Sequence, residues 1–85
     1  MNDNNFKSAE ELIDNLQRGG EVEFEYDAKE YSITHIPDGI IISQVYNDDT
    51  EKVYKTAKEV LGYEINGKKL GDIFHKLNVK FRCFE

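Results

Sequence analysis

Glu21-Val22-Glu23-Phe24-Glu25-Tyr26-Asp27 sets an acid at every odd position and an apolar or aromatic residue at every even one. A period of two is the mark of a strand with one buried and one wet face, so this stretch commits the chain to a sheet that keeps one side in water. Its four carboxylates then stand in a row, spaced by roughly 6.7 Å along the strand.

Downstream, Asp27-Ala28-Lys29 reads as a turn. Tyr31, Ile33 and His35 alternate with Ser32, Thr34 and Ile36 in a second strand, and Pro37-Asp38-Gly39 supplies the fixed φ and the positive φ of a tight turn. A third strand runs from Ile40 to Tyr46. Its unbroken Ile40-Ile41-Ile42 suggests cover on both faces at least at that end, so the strand is expected to be central or helix-covered. Asn47-Asp48-Asp49-Thr50 reads as a loop by composition.

Upstream, Ser8-Ala9-Glu10-Glu11 is a capping box, and Ala9, Leu12, Ile13 and Leu16 follow at helical spacing until Gly19-Gly20 stops the helix. A second capping box, Thr56-Ala57-Lys58-Glu59, opens a short helix through Leu61 that Gly62 ends. Tyr63-Glu64-Ile65 has two readings: a short strand turned by Asn66-Gly67, or a connector whose Asn66 caps the next helix. Leu70, Ile73, Phe74 and Leu77 predict a helix from about Lys68 to Leu77, ended by Asn78. Val79, Phe81 and Cys83 alternate with Lys80, Arg82 and Phe84 in a last strand.

The order predicts an α+β fold: an N-terminal helix, a three-stranded antiparallel meander, two short helices and a C-terminal strand, with the helices packed on one sheet face. The 85 residues make one small domain, 1–85, and 39% hydrophobic residues suffice for a modest core. A domain this small gains from self-association, so a homo-oligomer is a second expectation.

The single cysteine, Cys83, excludes an internal disulfide and a multi-cysteine zinc site. His35, His75 and Cys83 stand at no metal-ligand spacing, and Asn66-Gly67-Lys68-Lys69 lacks the frame of a phosphate loop. No nucleophile with a base and no metal set is evident, so the chain reads as a non-enzyme without a cofactor. No apolar run approaches the roughly 18 residues of a membrane span, and polar Met1 to Asn5 is unlike a signal peptide. These features, with the reducing compartment that one cysteine suits, predict a cytoplasmic protein.

The net charge of −6 hides a split: residues 1–51 carry thirteen acids and three bases, whereas residues 52–85 carry four acids and eight bases. Net negative charge forfeits the counterion release that drives nucleic-acid binding. It favours a basic partner.

Glu23-Phe24-Glu25-Tyr26, Lys29-Glu30-Tyr31-Ser32-Ile33 and the run Glu59-Val60-Leu61-Gly62-Tyr63-Glu64-Ile65-Asn66-Gly67-Lys68-Lys69-Leu70-Gly71-Asp72-Ile73 carry a resemblance. The chain resembles short, functionally uncharacterised proteins of Gram-positive bacteria and their phages and plasmids. The shared features are hydrophobic patterning and turns, spread over residues 21–73, with no chemical signature among them. The resemblance implies a mobile-element setting, in which small acidic inhibitors of host defence enzymes, such as anti-CRISPR proteins, are a class to consider.

The leading expectation is a protein-interaction module. Glu21, Glu23, Glu25 and Asp27, with Tyr26, Tyr31 and Tyr46 nearby, would engage a basic protein, because arginine recognises carboxylate and phosphate in the same bidentate way. Against it stand an ordinary solvated face and an edge strand charged to prevent aggregation. Two alternatives use other residues. One is a self-assembling domain, joining its acidic half to a neighbour's basic half or pairing terminal strands. The other is weak nucleic-acid binding through Lys52, Lys55, Lys58, Lys68, Lys69, Lys76, Lys80 and Arg82, with Phe81 and Phe84 for stacking. Lys80 and Arg82 could instead pair across strands with the acids.

Overall fold

The computed structural model describes residues 5–83. Readings that rest on residues 1–4, on Phe84 or on the Cys83 side chain lie outside what it describes. Helix α1 (Ala9–Gln17) starts where the Ser8 hydroxyl accepts from the Glu11 amide at 3.1 Å. The Glu11 carboxylate reaches past Ser8 and accepts from the Lys7 amide at 3.0 Å. Leu12, Asn15 and Leu16 form its buried stripe. Its end is a Schellman motif: with Gly19 at φ 83, the Gly20 amide donates to Asn15 O and the Gly19 amide to Leu16 O.

Strands β1 (Glu21–Tyr26), β2 (Lys29–Ile36), β3 (Gly39–Gln44) and β4 (Asn47–Tyr54) form a meander, joined by β7 (Asn78–Cys83) in a five-stranded antiparallel sheet of order β4-β3-β2-β1-β7. The α+β architecture is as the patterning predicts, and the meander continues for one strand more. Residues 47–50 are not a free loop, because the Thr50 hydroxyl accepts from the Gln44 amide and donates to Asn47 O, both at 2.7 Å. A side chain thereby bridges the irregular register between Ile42 and Gln44, beyond which Lys52, Val53 and Tyr54 pair with Ile42, Ile41 and Ile40.

Val22, Phe24, Tyr31, Ile33, Ile40, Ile42 and Val79 are buried on one sheet face with Leu12, Leu16, Val60, Leu70, Ile73 and Leu77. Phe24 stacks on Tyr31, ring centroids 5.3 Å apart. Short helix α2 (Ala57–Val60) keeps its full capping box, Thr56 N donating to Glu59 Oε1 at 3.1 Å.

Of the two readings of residues 63–65 the strand holds: β5 (Glu64–Ile65) and β6 (Lys68–Lys69) pair around Asn66 (φ 55) and Gly67 (φ 80). The helix expected from Lys68 to Leu77 is therefore shorter. It comprises α3 (Leu70–Ile73) and a 3₁₀ turn, Phe74–Lys76. Its apolar spacing marks the buried face correctly, since Leu70, Ile73 and Leu77 are all in the core. Among the described residues no helix is long and apolar enough to cross a membrane.

Candidate protein-binding face

The helices all lie on one side of the sheet, so the residues of alternate parity line a face without helical cover. β1 contributes Glu21, Glu23 and Glu25, and register adds their neighbours: Glu30 opposite Glu25, Ser32 opposite Glu23 on one side and Phe81 on the other. Further across, Thr34, Ile41 and Val53 align, as do Ser32 and Ser43. Ile41 is thus half-buried on the open face, while Ile40 and Ile42 are buried beneath the helices. β3 is central and helix-covered on one face, as the isoleucine run leads one to expect, but the second face has no cover. Phe81 and Val53 remain 45% and 48% exposed.

β1 lies between β2 and β7, so its acids are not the charged guard of a sheet edge. Glu25 and Glu30, directly opposite each other, are like charges that cost stability. Lys80 offsets this in part, 3.7 Å from Glu25, but both groups are partly solvated and such a pair contributes at most about 1 kcal/mol. Arg82 does not join the row. It pairs in register with Val22 on the helix side, where its guanidinium lies 4.6 Å from the Phe6 ring centroid and 3.3 Å from Glu11 Oε1.

Asp27 also leaves the row. It holds φ 55 in the β1–β2 turn and accepts from Asn66 Nδ2 at 2.8 Å. Among the tyrosines, Tyr26 packs half-buried against the core, Tyr31 is only 5% exposed, and Tyr46 is fully exposed at the β3–β4 turn. Of the seven expected residues, the structure gathers Glu21, Glu23 and Glu25, and it adds Glu30. A two-residue loop at Asp27-Ala28 dictates the pairing of residues 25 and 30, so that neighbour was within reach of the turn signal.

No family model, curated protein or solved structure matches this chain. Among the described residues, no three His, Cys, Asp or Glu side chains gather into a metal-binding group. Beside β4 lies a cleft of about 530 Å³ lined by Lys52, Tyr54 and Tyr63 with Asp49 and Glu64, its charges of mixed sign. The Tyr63 hydroxyl is engaged there, donating to Thr50 O at 2.9 Å. Lys55, Lys58, Lys68, Lys69 and Lys76 are exposed around α2, the β5–β6 hairpin and the 3₁₀ turn. The charge split along the chain thus becomes in part a split between faces, with Glu10 and Asp14 of α1 diluting the basic side.

Burial, reinforced by nearby Tyr63, raises the Tyr31 hydroxyl above its ordinary pKa of 10.0, and burial likewise raises Tyr54. Below pH 10 both folded and unfolded chains keep these protons. Above it the unfolded chain releases them first, so stability is lost as pH rises past 10 toward the raised values. Thermal melts across an alkaline series are expected to fall in Tm, and Tyr31→Phe is expected to flatten that fall. An equal slope in the variant would show that Tyr31 is not the group responsible.

Proposed function

We propose that this chain is a non-catalytic protein-interaction module whose helix-free sheet face receives a basic surface of a partner protein. One observation carries the reading: Glu21, Glu23, Glu25 and Glu30 lie together on the open face of an interior strand pair, with Glu25 and Glu30 opposed and Lys80 3.7 Å from Glu25. Strand spacing sets the β1 carboxylates roughly 6.7 Å apart. Arginine and lysine groups that bind phosphates accept carboxylates in the same geometry. The partner class is therefore a protein that handles nucleic acid, and the likeness to short phage and plasmid proteins fits an inhibitor that occupies such a protein's basic groove. Complementary charge speeds the encounter and makes the affinity fall with salt.

Charge reversal by Glu23→Lys with Glu25→Lys tests this. Both residues are on the open face, and reversing Glu25 loses the Lys80 pair while relieving the opposition to Glu30, so stability is expected to change by no more than about 1 kcal/mol. In a pull-down from host lysate, the native chain is expected to retain a protein that high salt releases and that the double variant does not hold. Retention of the same set by both would show the acid row to be a plain solvated face.

A further inference from the structure

The helix-free face is two-toned. Register aligns Val53 of β4, Ile41 of β3 and Thr34 of β2 in one row, while Glu21, Glu23, Glu25 and Glu30 occupy β1 and the start of β2. Of the three large hydrophobic side chains most exposed among the described residues, Val53 and Phe81 both lie on this face. Phe81 stands on β7 opposite Glu23. Apolar groups therefore border the acid row on both sides: Phe81 on one, and across β2 the Ile41–Val53 step on the other. Ile41 is half-buried, and neither it nor Val53 packs on the core beneath the helices.

The charge on this face decides what it can receive. A second copy laid face to face would set the four glutamates against their own kind, with Lys80 beside Glu25 as partial relief, so like charge opposes self-stacking. A basic partner meets opposite charge. Exposed ion pairs, however, contribute little one by one and are screened by salt, so the acids by themselves attract basic proteins without choosing among them. Choice requires a contact that salt does not screen, and the Ile41–Val53 step offers apolar surface for one. Neighbouring strands lie about 4.8 Å apart, which sets Ile41 on β3 two strands, roughly 10 Å, from the acids of β1.

We propose that the open face selects, among basic proteins, a segment that carries an aliphatic side chain roughly 10 Å from its arginine or lysine groups, the aliphatic group seating on Ile41 and Val53 while the cations meet the glutamates of β1 and β2. This rests on the acidic-face reading and adds to it the residues that set specificity. Burial of the aliphatic group at the step contributes a share of the affinity that is indifferent to salt, whereas the acid row contributes the share that salt removes. The two halves of the face thus have separate signatures. On a helix of the partner the required spacing is two turns, about 10.8 Å.

A pair of alanine-based helical peptides tests this, both with the same arginines along one face and differing only at a position two turns from the nearest arginine, leucine in one and alanine in the other. By titration calorimetry the native chain is expected to bind the leucine peptide roughly tenfold more tightly, with that ratio held as added salt weakens both. Ile41→Thr with Val53→Thr keeps the β-branching of both positions and removes apolar surface. It is expected to bring the two peptides level while leaving the alanine peptide bound as before. Because Ile41 is half-buried, Val53→Thr alone is the second variant, and it is expected to lower the ratio in the same direction. Glu23→Gln with Glu25→Gln weakens both peptides and keeps the ratio. A native chain that binds the two peptides equally, or a threonine variant that keeps the preference for leucine, would overturn the proposal and leave the acidic-face reading in place. Absence of salt-sensitive binding of either peptide would overturn both.

Discussion

Phe24→Ala is expected to cost about 3–5 kcal/mol, measured as a lowered urea midpoint. Phe24 is the largest fully buried side chain of the sheet, 1% exposed, and its ring stacks on Tyr31 at an interplanar angle of 16°. Truncation therefore forfeits the transfer of a ring from water, opens a cavity between β1 and the helices, and removes an aromatic pair contributing about 0.5–1.5 kcal/mol of its own. A domain of 85 residues has on the order of 4–13 kcal/mol in total, so the loss takes a large share of it and leaves part of the population unfolded without denaturant at the lower end. Phe81→Ala on the open face is the control. Its ring is nearly half exposed, and its removal should change stability by about 0.5 kcal/mol or less. Equal costs for the two would mean that the faces of β1 are reversed.

Gly39→Ala is expected to cost about 3 kcal/mol or more. Gly39 opens β3 at φ 145, a region that residues with a Cβ rarely enter. There a Cβ would overlap the Tyr54 carbonyl oxygen on the neighbouring strand. Backbone, not a flexible side-chain end, stands in the way, so relief requires β3 and β4 to separate where Ile40 pairs with Tyr54. Gly67→Ala gives the contrast. At φ 80 with open space around it, it carries only the left-handed penalty of about 1–2 kcal/mol. Thermal melts of the two variants should differ accordingly, and a Gly39→Ala no worse than Gly67→Ala would contradict the close approach of β3 and β4.

Much of this architecture was legible in the order of residues. Alternation at 21–27 named β1 and its wet face, and Gly19-Gly20 ended α1 as its Schellman bonds show. β4 escaped because Asn47-Asp48-Asp49-Thr50 has loop composition; it is a strand by its pairing with β3, and the Thr50 hydroxyl bridges the irregular register at its start. The third helix was read too long because Leu70, Ile73 and Leu77 mark a buried face, which a short helix, a 3₁₀ turn and the start of an extended segment share equally well. At the candidate face, period alone placed Glu21, Glu23 and Glu25 but could not tell an interior strand from an edge. Tyr31 and Tyr46 looked alike as aromatics, and only the sheet order buries one and the β3–β4 turn exposes the other.

The measurement that bears most directly on the interaction reading is methyl and aromatic NMR of the chain on addition of the salt-released partner. Ile41 and Val53 report on the helix-free face, Phe81 beside Glu23 reports on the acid row, and Ile13 and Leu61 report on the helix side. Signals of Ile41, Val53 and Phe81 are expected to shift together while Ile13 and Leu61 hold still. Shifts confined to Ile13 and Leu61 would contradict the assignment of binding to the open acidic face.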